Sequence, residues 1–116
     1  MNTRTCPRLL AIDLMERSPC QVKMAAVLTD MDGRIFSWGW NSIGMDGFGL
    51  HAEQHAIQRA NRNRLSGSTI SVAGRRKGWV YSYPCAACLK MLMKARIYKI
   101  EFLVKSGSWS RYDLPQ

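Results

Sequence analysis

The sequence predicts one α/β domain over residues 1–116. Three observations carry that prediction. Stretches with apolar residues at helical spacing alternate with short runs rich in β-branched and aromatic residues. Turn and boundary residues, Asp32-Gly33 and Pro7, Pro19 and Pro84 among them, fall at the joins between those segments. The length suits a single domain with a real core, and 47% hydrophobic residues is ordinary for a soluble globular chain.

The elements follow in order. In residues 8–17, Leu10, Leu14 and Arg17 share one side and Asp13 and Glu16 fall near another, which predicts a helix. Pro7 suits its first turn, and Ser18-Pro19 ends it. Residues 22–30 read as a strand entering a turn at Met31-Asp32-Gly33, and residues 34–40 as the returning strand, which ends at Asn41. Residues 42–50 hold Gly44, Gly47 and Gly49 beside Asp46 and read as a flexible loop. Their spacing fits neither a dinucleotide fingerprint nor a P-loop.

A second helix is predicted over residues 51–64, with Ala52, Ala56, Ile57 and Ala60 as its apolar stripe. A linker at 66–68 leads to a β-branched strand at 69–73, a basic loop at 74–78 and extended chain at 79–82. Pro84 opens a third helix over residues 85–95. The last clear strand is 98–104, where Ile100, Phe102 and Val104 alternate with Lys99 and Glu101. The tail after Lys105 carries Trp109 and Tyr112 among polar residues and reads as a short edge strand or a docking segment. There is no internal repeat.

Composition narrows the function. Arg8, Asp13, Glu16 and Arg17 interrupt the N-terminal apolar stretch, so no signal peptide is expected, and no run approaches the length of a membrane span. A cytoplasmic protein with no membrane partner is the expectation. Cys6 and Cys20 have no partner pattern and read as free thiols. Without a secretory signal, the close pair Cys85 and Cys88 points to metal or redox chemistry. A net charge of +9, from 17 Lys and Arg against 8 Asp and Glu, attracts polyanions and phosphorylated small molecules alike.

Two short pieces carry the chemistry: His51-Ala52-Glu53 and Pro84-Cys85-Ala86-Ala87-Cys88. One imidazole and two thiolates are three zinc ligands of the usual types, and a tetrahedral ion then keeps one position for water. Zinc brings the pKa of that water towards neutrality, and a carboxylate two residues from the His can move its proton. Cys85 and Cys88, at i and i+3 in the first turn of a helix, lie on one face, and the helix N-terminus favours thiolate. His51 holds the same kind of position, so two helix starts can clasp one ion. A thioredoxin-like redox pair is the alternative, and the upstream His-x-Glu counts against it. His55, one turn after His51, reads as a packing or ligand-orienting residue. The metalloprotease pattern needs Glu directly after its first His, and Ala52 stands there.

The paired motifs and the order of elements resemble the cytidine and deoxycytidylate deaminase superfamily over about residues 22–104. The resemblance implies a three-layer α/β/α fold with a mixed sheet of about five strands. It implies Zn2+ held by His51, Cys85 and Cys88, with Glu53 as general acid/base. The implied reaction is attack of a metal-generated hydroxide on C4 of cytosine, or C6 of adenine, with release of ammonia. Many members have an Asn where Asn41 stands, in contact with sugar or base; a plain turn residue is the other reading. The backbone around Ala52 and Cys85 is implied to line the base pocket. Tyr83 packs either on the base or in the core or a subunit interface. The His-Ala-Glu form resembles the deoxycytidylate, riboflavin-pathway and tRNA adenosine branches. The homotetrameric nucleoside enzymes usually carry Cys in place of His51.

The favoured substrate is a free cytosine nucleotide or nucleoside, because few elements remain to build a long strand-binding groove. The alternative is a base within a nucleic acid, gripped by Arg59, Arg62, Arg64, Arg75, Arg76 and Lys77, with Trp38, Trp40 and Trp79 as stacking surfaces. A non-catalytic zinc module that binds nucleic acid is the third reading, and it would need a fourth protein ligand. The family often pairs subunits, so a homo-oligomer is expected.

Overall fold

The structure is a computed structural model that describes residues 6–43 and 49–115. Most of the expected loop at 42–50 therefore lies outside the described residues; its ends meet in a bridge between Ser42 and Leu50. The element order is α1 (Pro7–Leu14), β1 (Lys23–Thr29), β2 (Ile35–Trp40), α2 (Ala52–Arg59), β3 (Thr69–Arg75), α3 (Ala86–Lys94), β4 (Lys99–Leu103) and β5 (Trp109–Asp113). Short 3-10 turns follow α1 at Met15–Arg17 and α2 at Arg62–Arg64.

The five strands form one sheet in the order β2-β1-β3-β4-β5. β3 and β4 are parallel, and the other neighbours run antiparallel, so the sheet is mixed as expected. A parallel pair needs a crossover, and α3 supplies it. Alternation along the strands gives each face its own core. Ala26, Leu28, Ile70, Val72, Ile100 and Phe102 meet the side of α2 and α3. Ala25, Val27, Ala73 and Leu103 meet Ala11, Leu14 and Met15 of the first helical segment. Both faces of β1 are covered, which explains its unbroken apolar run.

The predicted β1–β2 hairpin forms. Gly33 takes φ +82, its N–H donates to the Asp30 carbonyl, and the N–H of Asp30 donates to the Arg34 carbonyl. The Asp30 carboxylate accepts from the backbone N–H groups of Asp32 and Arg34 and pairs with Arg64. The tail becomes edge strand β5, antiparallel to β4 and anchored by buried Leu114.

One sequence expectation needs correction. The second helix stops at Arg59 rather than residue 64, because Ala60 turns to extended backbone (φ −80, ψ 147). Asn61 then caps a separate 3-10 turn by accepting from the N–H of Asn63. Residues 79–82, expected as extended chain, begin with an isolated antiparallel bridge between Trp79 and Arg75. β4 pairs with β3 only as far as Val72, so the end of β3 can take that bridge, and the Val80 and Ser82 N–H groups donate to the Gly74 and Leu103 carbonyls.

β2 and α2 approach each other closely at Gly39. A Cβ there would lie 2.5 Å from the Ala56 nitrogen, 2.7 Å from His55 Cβ and 2.9 Å from the Ala52 carbonyl oxygen. The buried Ser37 hydroxyl ties the same elements by donating to the Ala56 carbonyl at 2.6 Å. Gly39→Ala is expected to destabilise the protein by about 1–3 kcal/mol or more, as overpacking against backbone does, in urea unfolding. A second prediction concerns acid. The Arg64 hydrogen bond, helped by the Arg34 N–H, holds the Asp30 carboxyl below its ordinary range. The unfolded chain then binds that proton more tightly, so the stabilisation is full above the unfolded value, about 3.9, and fades as pH falls through the lower folded value. The urea midpoint of Asp30→Asn should therefore lie below that of the wild type at about pH 6 and converge with it as pH drops below about 4.

Candidate metal centre and base pocket

The site forms where α2 and α3 begin, on the same face of the sheet. His51 is extended (φ −77, ψ 152) and α2 starts at the next residue. Cys85 is extended (φ −68, ψ 168) and α3 starts at Ala86. Both are N-cap residues, one step outside the first turn where the sequence placed them. A side chain at the N-cap folds over the third helical residue, which brings Cys85 to Cys88. Pro84 favours extended backbone at Tyr83, so the chain enters α3 from a fixed direction. Gln54 steadies the other ligand, its Oε1 accepting from the His51 N–H at 2.9 Å.

The donor atoms of His51, Cys85 and Cys88 all lie within 4.8 Å of one another. His51 Nδ1 is 3.1 Å from Cys88 Sγ and 3.7 Å from Cys85 Sγ. Tetrahedral zinc, with bonds of about 2.3 Å to sulfur and about 2.0 Å to nitrogen, spaces such atoms about 3.5–3.8 Å apart. Cys88 is buried, whereas His51 and Cys85 are exposed, so the cluster opens to one side.

The electrostatics also fit a cation. Burial first, and then the Glu53 carboxylate and Cys85, push the Cys88 thiol up. Burial likewise raises the Glu53 carboxyl, against smaller opposing effects of its own backbone N–H and of His51. Two thiols and a buried carboxyl share this corner, and among the described residues no Lys or Arg lines the cavity beside them. A divalent cation supplies the missing positive charge. Among the described residues, this is the one group of three or more His, Cys, Asp and Glu arranged to hold an ion. Cys6 and Cys20 are free and half-buried elsewhere.

Beside the donors is a cavity of about 220 Å³. Met24, Asn41, Ala52, Glu53 and Tyr83 line it, with His51 and Cys85 at the metal side. The structure thus gathers every site residue that the sequence singled out. Asn41 arrives largely committed. Its Oδ1 accepts from Ser18 Oγ (2.5 Å) and Met24 N–H (2.9 Å), and its Nδ2 donates to the Val22 carbonyl (2.8 Å). One amide hydrogen remains for anything in the cavity. His55 faces away from the donors: the Trp40 N–H donates to its Nδ1 at 3.2 Å, and its ring meets Trp40 edge-on at 4.8 Å. Sequence reasoning missed Met24, which enters the cavity only because β1 pairs beside the end of β2, and Gln54, whose spacing from His51 was a readable capping signal.

The six basic residues do not form one patch. Arg62 and Arg64 precede β3, whereas Arg75, Arg76 and Lys77 lie at its far end. Arg64 pairs with Asp30 and Arg75 with Glu16. Arg59 covers Trp38 and Trp40 at 5.3 and 5.8 Å from their ring centres. Both tryptophans and Trp79 pack against the core on the α1 side. No helix among the described residues is long and apolar enough to cross a membrane.

Comparison with known proteins agrees with this geometry. The fold is similar to that of a cytidine deaminase from Burkholderia pseudomallei, with a TM-score of 0.71 at 21% identity, over 92% of this chain and 89% of that one. It is similar to the dCMP deaminase of cyanophage S-TIM5 in apo form, with a TM-score of 0.68 at 23% identity, over 87% and 82%. A cytidine deaminase from Mycobacterium leprae matches with a TM-score of 0.60 at 17% identity, over 90% and 88%. No curated protein sequence matches. The family model for the cytidine and deoxycytidylate deaminase zinc-binding region matches residues 7–104. With nearly the whole chain covered and a zinc donor set in place, the chain belongs to the cytidine and deoxycytidylate deaminase zinc-binding family and is a hydrolytic deaminase.

Proposed function

We propose that the chain converts the cytosine ring of a free (deoxy)cytidine nucleotide or nucleoside to uracil, with His51, Cys85 and Cys88 holding zinc and Glu53 moving the protons. The observation that carries this reading is one cavity lined by a buried carboxyl and by two members, His51 and Cys85, of a three-donor cluster. When bound, zinc makes a water molecule acidic enough to attack at neutral pH. Glu53 takes the proton released by that water and delivers protons to the ring N3 and the departing amine. A C–O bond forms at C4, the exocyclic C–N bond breaks, and water plus cytosine become uracil plus ammonia.

At about 220 Å³ the cavity is smaller than the ~300–1,000 Å³ of drug-sized ligand sites, which suits one ring with sugar and phosphate at the mouth. Ala52 and Tyr83 form walls for that ring. Asn41 acts mainly by holding the start of β1, with one N–H left to offer. The dispersal of the basic residues and the packing of the tryptophans support a free nucleotide over a polynucleotide, because a strand-binding groove needs both kinds of group in a continuous track.

Ammonia release screened over cytidine, deoxycytidine, their monophosphates, free bases and single-stranded oligonucleotides tests the substrate. Turnover is expected with nucleosides or monophosphates. Turnover of oligonucleotides alone, with affinity that falls steeply as salt rises, would instead support the polynucleotide reading. Glu53→Ala is expected to keep zinc and fold while losing at least about 10²–10⁴-fold in rate. Retained turnover in that variant sinks the proton-shuttle role. Cys88→Ser is expected to bind well under one equivalent of zinc by elemental analysis, and a full equivalent refutes the ligand assignment.

A further inference from the structure

Tyr83 is held in place by a cluster of aromatic rings that reaches it from three parts of the chain. Its ring is stacked on Tyr81, two residues earlier, at 6.2 Å between centres and 23° between planes. It meets Phe102 of β4 edge-on at 5.1 Å. It meets Tyr112 of β5 edge-on at 6.1 Å and 89°. Tyr81 also stands edge-on to Phe102, at 5.6 Å. Phe102 is buried and forms the floor, whereas Tyr81 and Tyr112 are 59% and 49% exposed.

The register explains why Tyr112 can reach. It lies opposite Ile100, and Ser110 lies opposite Phe102. Ile100 and Phe102 both face the core on the side of α2 and α3, so Ser110, Tyr112 and Leu114 share that face. A small residue at 110 leaves the space over Phe102 to Tyr81 and Tyr83. Leu114 is buried in the same core and its N–H donates to the Tyr98 carbonyl, which pins the strand beside the cluster.

Exposed tyrosines that serve only solubility have no reason to converge on one ring. The ring they converge on is a wall of the cavity beside Glu53. We infer that Tyr112 is a positioning residue: its perpendicular ring contact, with the stacked ring of Tyr81, fixes the Tyr83 ring as a preformed wall for the target base. The inference rests on the reading that this cavity holds the base, and it makes strand β5 part of the binding site. A preformed wall lowers the ordering cost of binding. Loss of Tyr112 lets the Tyr83 ring move, so substrate binds less well while the metal, Glu53 and the chemical step are untouched.

The test compares Tyr112→Ala, Tyr112→Leu and Tyr112→Phe with Tyr98→Ala, which removes another exposed tyrosine outside the cluster. Two readouts are taken: steady-state ammonia release from the cytosine nucleotide or nucleoside the wild type turns over, and the Tyr83 ring resonances in protein with 13C-labelled tyrosine, assigned with Tyr83→Phe. In Tyr112→Ala, KM is expected to rise about 3- to 10-fold, the scale of one aromatic pair, with kcat within about twofold. Tyr112→Phe should restore KM, Tyr98→Ala should match the wild type, and the Tyr83 resonances should shift in the Ala and Leu variants only. Tyr112→Leu keeps apolar volume on the flank and carries the test if the Ala variant does not fold. An unchanged KM, unmoved Tyr83 resonances, or a joint fall of kcat and melting temperature that Phe does not rescue overturns the inference. Absence of ammonia release by the wild type from every cytosine compound defeats the functional reading instead, and the ring resonances then decide the role of Tyr112.

Discussion

The structure depends on one constraint: two helices must begin at the same place on one face of the sheet. A helix start is where backbone turns from extended to helical, so the N-cap side chain is free to fold over the first turn. His51 and Cys85 both occupy that position. With Cys88 a turn further along α3, they bring an imidazole and two sulfurs together while leaving one side open. Moving either helix by one residue would rotate a donor by about 100° and undo the cluster. The close contact of β2 with α2 at Gly39, and the Ser37 hydroxyl bond to the Ala56 carbonyl, hold the His51 helix in register. The crossover from β3 to β4 holds the cysteine helix. The sheet works as a jig for two helix ends.

Charge is arranged to the same end. Thiols and a buried carboxyl are gathered at a cavity that no described Lys or Arg lines, in a protein with net charge +9. Five arginines are used elsewhere: Arg75, Arg64 and Arg8 on Glu16, Asp30 and Glu101, and Arg17 and Arg59 over tryptophan rings. A site that is poor in positive side chains inside a basic protein leaves its charge balance to a metal ion.

The donors, the general acid/base candidate and most of the elements were legible in the sequence. Their signals are local: Glu53 is two residues from His51, Cys88 three from Cys85, and the helix starts carry their own boundary residues. Contacts that depend on strand pairing were not legible. Asn41 looked free to meet a ligand, yet Ser18, Val22 and Met24 take three of its hydrogen bonds once β1 lies beside the end of β2. The basic run looked like one patch until the seven residues of β3, about 20 Å of chain, separated its halves. The second helix was read too long because Ala60 fits its apolar stripe although its backbone is already extended. The tail showed only Trp109 and Tyr112 among polar residues, and the register of β5 against β4 is what turns Tyr112 towards Tyr83.

The proposed reaction stands on a zinc site with three protein ligands and one position open to water. X-ray absorption at the zinc edge of the purified protein measures that set directly. Two sulfurs at about 2.3 Å with two nitrogen or oxygen neighbours at about 2.0 Å, in a ratio of one zinc per chain, is the predicted result. A shell of four sulfurs, or a fourth ligand supplied by a second histidine, would contradict it, because no position would remain for the attacking water.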